Sequence, residues 1–472
     1  MVFNSLTFVV FFATILSLYR LLPRWTAKKT LLLLASYVFY GAWNPPFALL
    51  LALTTLLDFW LARRMSSSTS DSARRVYLIV SLTTNLSVLS YFKYGNFARE
   101  SFVSLMGSLG VDWKPAPLDI VLPVGISFYT FETLSYTLDV YRKKLKPAAS
   151  LLDFGLFVSF FPHLVAGPIV RAADFLHQLE RERFIESRRL GWGLFMMTLG
   201  LFEKMVLADS MLAASADAVF GSPGPTSQLD SWLGTIAFAG QIFCDFAGYT
   251  TCAIGASLCF GFFLVDNFRF PYAAIGLRDF WRRWHISLST WLRDYLYVPL
   301  GGNRRGLRRM HLALMLTMVL GGLWHGASWN FVIWGTLHGV FLVAERELAR
   351  RFGHTAWLKT RLARFGLGTL TFTLVCIAWV FFRAKDLPQA AMVLASMLGA
   401  IPAAPVLSSV NVAQVVLVTS ALIATHIVLR DRRLEDAASV LPAPLLTLAW
   451  SGMLFAIVLT QGGGDAFIYF QF

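Results

Sequence analysis

The residues best placed to do chemistry lie in one stretch, residues 278–339, and the most telling of them is His325. It stands between Trp324 and Gly326 at the end of a long apolar run, in GLWHGASWNFVIWG. Hydrocarbon offers an imidazole no water to bond, so a histidine at that depth is costly to keep. Ionisable groups inside spanning segments are for that reason functional candidates. A buried imidazole can take the proton of a hydroxyl as its oxygen attacks an acyl carbonyl, help worth about 10²–10⁴-fold. Holding two substrates end to end in one tunnel would add proximity, and no covalent intermediate is required. Trp324, Ser328 and Asn330 surround His325 in sequence and are candidate lining residues. Ser328 lies three residues from His325, but no well-placed acid completes a triad.

A second imidazole, His285, belongs to the basic, Trp-bearing segment DFWRRWHISLSTWLRDYLY. Read as one helix over residues 280–296, this segment puts Trp281, Trp284, Leu288, Trp291, Leu292 and Tyr295 on one stripe. Arg282, Arg283, Ser287, Arg293 and Asp294 fall opposite. Such a helix favours the membrane interface. His285 falls roughly 40° from Trp281 at 100° per residue, so it can point into the protein.

Other polar residues sit inside apolar runs. Glu132, in residues 118–141, needs a partner or a cavity. Asp139, near the end of that run, reads as an interfacial anchor beside Arg142. Asp245 and Tyr249 are four apart on one helical face, equally suited to an intrahelical bond or to a site. Glu203 and Lys204 are adjacent and do not face each other on an α-helix. His338, four residues after Trp334, reads as a packed histidine bonded to backbone. His163 follows a proline in FFPHLVAGPIVR, and Gly167-Pro168 comes soon after. Helix breakers at membrane depth predict a broken or re-entrant segment.

These residues need a frame, and composition says what kind. Of 472 residues, 56% are hydrophobic and 14% charged, against roughly 25% charged in a soluble domain. Continuous apolar runs of spanning length recur from end to end, where a barrel would show alternating ten-residue segments. The expectation is an all-α, polytopic helical membrane protein. It would have about 11–13 membrane segments, including re-entrant and interfacial helices, around a central tunnel.

Several of these segments can be placed. Residues 30–62 are interrupted by Asn44-Pro45-Pro46 and predict a hairpin of two spans. From Arg309 to His325 is 16 residues. At about 1.5 Å each they rise roughly 24 Å, most of a 30 Å core. The chain then returns over residues 328–344. A span over residues 364–384 ends in WVFFRA with Arg383 snorkelling, residues 390–404 and 412–429 are further apolar runs, and residues 441–460 form the last full span. The tail GGGDAFIYFQF, residues 462–472, is too short to span and predicts an interfacial placement.

The net charge is +14, from 41 basic and 27 acidic residues. The Lys and Arg fall in short loops between apolar runs, the pattern of cytoplasmic loops and not of nucleic-acid binding. The four cysteines, Cys244, Cys252, Cys259 and Cys376, have no metal-ligand spacing and read as packing residues, with no disulfide and no metal. No P-loop, no strand-linked GxGxxG and no GxSxG elbow occurs. No basic residue precedes the first apolar run, and Arg20, Arg24, Lys28 and Lys29 follow it, which fits a first span and not a cleaved signal.

GLWHGASWNFVIWG and DFWRRWHISLSTWLRDYLYVPLGGN resemble the signature stretches of the membrane-bound O-acyltransferases, in the bacterial polysaccharide branch. The likeness runs through MVFNS, ASYVFYGAW, YFKYGNF, LPVGISFYTFETLSYTLDVYR, FFPHLVAGPIVR, NFRFPY and WVFFRA. The resemblance implies a single domain over residues 1–472 in the bacterial inner membrane. It implies that His325 is the family's invariant histidine, where cytoplasmic and outer tunnels meet, and His285 its second conserved one. It implies transfer of an acetyl group from a cytoplasmic donor such as acetyl-CoA, with no bound cofactor. The acceptor would be an exopolysaccharide, of alginate or cellulose type, or a periplasmic acetyltransferase partner. One place departs: the chain reads DFAGYTT from Asp245, where the branch commonly has DFSGYSD, so the second acid is absent. D-alanylation of teichoic acid fits the motifs less well. From the residues alone, a transporter or flippase for a polysaccharide or lipid-linked sugar is the competing reading, since it too would use a polar cavity in a helical bundle.

Overall fold

The computed structural model describes residues 1–165, 167–183 and 186–460. The tail expected at the interface, residues 462–472, lies outside them. The described residues form helices joined by turns and irregular segments, with no strand among them. Among the described residues, five helices are long and apolar enough to cross a membrane: Pro45–Ser67, Ser187–Phe220, Gln228–Cys259, Arg361–Arg383 and Ser409–Leu429. Leu6–Leu21, Leu387–Met397 and Ala443–Leu459 are apolar but shorter, so the last expected span is only 17 residues long. Large apolar side chains are left exposed on these helices, among them Leu49, Leu53, Leu56 and Trp60 on one and Leu417 and Val428 on another. In water such faces would be a liability; against lipid they are the expected surface.

The chain divides into two compact units, Met1–Met197 with Cys252–Val265, and Thr198–Thr251 with the described residues from Asp266 on. In the first unit the predicted hairpin is present as Trp25–Gly41 and Pro45–Ser67, with both prolines in the first turn, where a missing N–H costs nothing. The segment expected to cross over residues 118–141 is helical only as Ile126–Tyr141. Pro115, Pro117 and Pro123 remove backbone donors before it, and Gly125 starts it from a left-handed conformation at φ 77°. This unit also buries Asp58, which accepts from Ser81 Oγ at 2.6 Å and from Asn85 Nδ2 at 2.9 Å, while Thr133 Oγ1 donates to Asn85 Oδ1 at 3.3 Å, so three helices share one polar knot.

The second unit holds the aromatic core built on Phe238, Trp284, Trp334, Trp379 and Phe382. Its central device is the hairpin of Leu307–His325 and Trp329–Phe352. A Cβ on Gly322 would collide with the Phe331 carbonyl and one on Gly335 with that of Met318, so the two backbones touch where only glycine permits it.

Candidate functional site

His325 is the last residue of its helix, with Gly326 extended after it and the Phe331 ring packed where a Cβ at 326 would stand. The imidazole is 3% exposed. Three aromatic rings meet it at steep angles: Trp334 at 4.9 Å and 80°, Trp324 at 5.0 Å and 82°, Phe382 at 5.4 Å and 67°. The His285 ring lies 6.2 Å away and 5.8 Å from Trp324. The structure therefore brings together both histidines and Trp324.

The backbone around His285 differs from the single helix expected over residues 280–296. Helix Leu277–Arg283 stops, Trp284 turns extended at ψ 128°, His285 adopts φ 43°, and a new helix runs Ile286–Leu292. The cause is Asn267, 18 residues upstream. Its backbone carbonyl accepts from the Ile286 N–H at 2.9 Å. Its side-chain Oδ1 accepts from the Ser287 N–H at 3.2 Å and from Ser287 Oγ at 2.9 Å. These bonds satisfy donors at the start of the new helix that would otherwise be left without partners. His285 does point inward, as its place on the stripe suggested, and is fully buried.

The same Asn267 Oδ1 lies 3.0 Å from His285 Nδ1. Because that oxygen is already an acceptor for Ser287, Nδ1 must carry the proton, and the ring's lone pair sits on Nε2. Upstream, the first short helix is fixed by Glu345, which accepts from the Leu277 N–H at 2.5 Å and the Arg278 N–H at 3.1 Å. Arg283 is fixed by Asp279 at 2.9 Å and by Asp431 at 3.1 Å. Burial alone would raise the Asp279 carboxyl, but the Ile275 N–H and the Arg430 and Arg283 guanidinium groups outweigh it and hold the group below its ordinary value.

The remaining candidates divide. Ser328 caps the return helix by position, without a side-chain capping bond, and is half-buried. Asn330 is buried and donates to the Ala384 carbonyl at 2.7 Å, tying the return helix to the end of Arg361–Arg383. Asp245 is paired with Lys204, whose ammonium also binds Asp209 at 2.8 Å and lies 6.0 Å from the Tyr249 ring. Residues Phe202–Leu212 form a π-helix, which is why residues five apart, Lys204 and Asp209, come together. Glu132 belongs to the first unit, where His163 Nδ1 lies 3.2 Å from Oε1 and the Val170 N–H donates to the same oxygen at 2.9 Å. The partner that its burial demanded is thus His163, and the segment carrying it is broken as predicted, at Phe160.

The structure corrects one expectation and adds to two others. His338 is packed, between Trp334 at 4.8 Å and Phe280 at 6.1 Å, but it is not bonded to backbone. Neither ring nitrogen has a hydrogen-bond partner among the described residues. Arg383, expected to snorkel, has a partner the sequence reading did not name: Asp217 at 2.6 Å. The third is the omission of Asn267: its only sequence signal was its place at the head of NFRFPY.

Fold and site together define a helical, multi-pass membrane protein whose two imidazoles are enclosed side by side among indole and phenyl rings. The chain belongs to the membrane-bound O-acyltransferase family, whose model matches residues 82–383. It is therefore an O-acyltransferase, and the transporter reading gives way. The chain is 42% identical to the "Probable alginate O-acetylase AlgI" of Pseudomonas putida, over 84% of this chain and 80% of that one. It is 36% identical to the peptidoglycan O-acetyltransferase of Helicobacter pylori, over 79% of this chain and 74% of the relative. It is 26% identical to the teichoic acid D-alanyltransferase of Bacillus subtilis, over 57% and 70%.

Proposed function

We propose that the protein takes an acetyl group from a cytoplasmic thioester donor such as acetyl-CoA and passes it through the bacterial inner membrane for O-acetylation of an exopolysaccharide. The polymer is of the alginate or cellulose type, with alginate favoured by the names of the relatives at about 40% identity. The acceptor is the polymer itself or a periplasmic acetyltransferase that completes the transfer. The observation that carries the reading is the enclosure of His325 beside His285, 6.2 Å apart and both buried.

In this reading donor and acceptor enter a central tunnel from opposite ends and meet at His325. The acceptor hydroxyl oxygen attacks the thioester carbonyl while His325 takes its proton. The tetrahedral intermediate then collapses, the C–S bond breaks, and the proton passes from His325 to the departing sulfur. An acetyl ester and a free thiol result, so the imidazole ends as it began. His285, held by Asn267 with its lone pair on Nε2, orients a hydroxyl or the His325 ring. Trp324 forms wall between the two histidines.

The test is the acetate released by mild base from secreted polymer in cells carrying His325→Ala or His325→Gln. Both variants should be present in the membrane at the parent level and yield polymer without acetate. Parent acetylation in either variant overturns the assignment of His325. Release of D-alanine in place of acetate from the parent's product overturns the acetyl donor.

A further inference from the structure

The reaction just described asks His325 to become an imidazolium for part of each cycle. A cation in a buried, low-dielectric place is costly unless something stabilises it. The three rings around His325 are among the most buried side chains of the protein, with Trp334 and Phe382 each 1% exposed and Trp324 4%. All three centroids stand within 5.4 Å of the imidazole centroid, with ring planes inclined to it by 67–82°. An aromatic face is electronegative, indole most of all, and attracts a cation within about 6 Å of its centroid. Their packing among Trp379, Phe331 and one another holds them in place: Phe382 lies 5.3 Å from Trp334 and 4.9 Å from Phe331, and Trp379 is stacked on Trp334 at 5.8 Å.

We infer that Trp334, with Trp324 and Phe382, forms an aromatic cage that stabilises the positive charge on His325 while the imidazole holds the acceptor's proton. Trp334 is the principal member because it presents an indole at the shortest of the three separations. The cage acts through His325 and not on substrate. It favours the charged, proton-holding state over the neutral resting state, so its effect belongs to the chemical step and not to donor binding. The inference rests on His325 being the proton acceptor.

The experiment is site-specific incorporation of 4-fluoro-, 5,7-difluoro- and 4,5,6,7-tetrafluorotryptophan at position 334 in the full-length protein. These rings are nearly the size of indole but progressively weaker attractors of cations, so packing is kept while the electrostatics change. Acetyl transfer is measured in inner-membrane vesicles with acetyl-CoA and a soluble oligosaccharide acceptor. The expected result is a stepwise fall in kcat, reaching about tenfold or more for the tetrafluoro ring, with KM for acetyl-CoA unchanged. A kcat that is flat or rises across the series overturns the cage. Trp334→Leu should fall at least as far, and the fluorinated series decides the matter even where that variant fails to accumulate. Loss of activity in His325→Ala together with a flat series rejects the cage alone; retained activity in His325→Ala rejects the reading beneath it.

Discussion

Asn267 and His285 are joined through Oδ1 and Nδ1 at 3.0 Å, and one amide oxygen thereby sets both the path of the backbone and the tautomer of the ring. The same atom receives the N–H and hydroxyl of Ser287. Asn267→Leu should lose all three bonds, leaving buried donors unsatisfied at about 1–3 kcal/mol apiece. Asn267→Asp keeps an acceptor at the same place. Acetyl transfer per unit of membrane protein should therefore rank Asn above Asp above Leu, and equal activity in the leucine variant would separate Asn267 from the chemistry.

The glycines of the central hairpin set where His325 lies. Gly322→Ala would drive a methyl into the Phe331 carbonyl and the Gly335 backbone, which cannot swing aside as a side chain could. Overpacking of this sort costs about 1–3 kcal/mol. Because His325 ends the same helix, a small displacement there should cost more activity than stability. The check is to compare kcat with the midpoint of thermal unfolding in detergent; a parent kcat in a destabilised variant would refute the coupling.

Lys204 is shared by Asp209 and Asp245, and both carboxylates are almost wholly buried. Lys204→Met leaves them without their cation, a loss of about 3–5 kcal/mol. The unfolding midpoint should drop sharply, and adding Asp209→Asn and Asp245→Asn in the same chain should recover much of it. A triple variant no more stable than Lys204→Met would mean the carboxylates are not the source of the cost.

Asp279 supplies a pH dependence with a definite sign. Its carboxyl titrates below the ordinary value in the folded protein despite its burial, through the Ile275 N–H, Arg430 and Arg283. A depressed folded pKa adds stability that is fully present above the unfolded value, about 3.9, and is lost as pH falls through the folded one. Asp279→Asn should therefore be less stable than the parent at neutral pH. The gap should close below about pH 4. Detergent-solubilised unfolding measured across that range checks it, and a gap that widens on acidification would contradict it.

How much of this could be read in the chain depends on the distance over which each determinant acts. The surroundings of His325 were legible in part: Trp324 precedes it and Trp334 follows nine residues on, whereas His285 and Phe382 reach it from distant segments. The two-proline start of Pro45–Ser67 was legible because proline speaks for its own position. The break at Trp284–His285 was not, because those two residues carry no helix-breaking signal of their own; the cause is an asparagine in another segment. Glu132 advertised the need for a partner but not that the partner was His163. Lys204 and Asp209 escaped because a helix of ordinary pitch would have turned them apart, and only the wider turn aligns them. His338 misled because burial of an imidazole usually implies a bond, and here the ring is packed among aromatic neighbours with neither nitrogen bonded among the described residues.

His285 occupies a left-handed backbone conformation, φ 43°, ψ 56°, that side-chain-bearing residues rarely adopt. Measured against this path alone, glycine is the better residue, by about 1–2 kcal/mol. His285→Gly should accordingly unfold at a higher temperature than His285→Ala, although both discard the ring and both should lose transfer. The position carries an imidazole at a cost in backbone energy that a glycine would avoid.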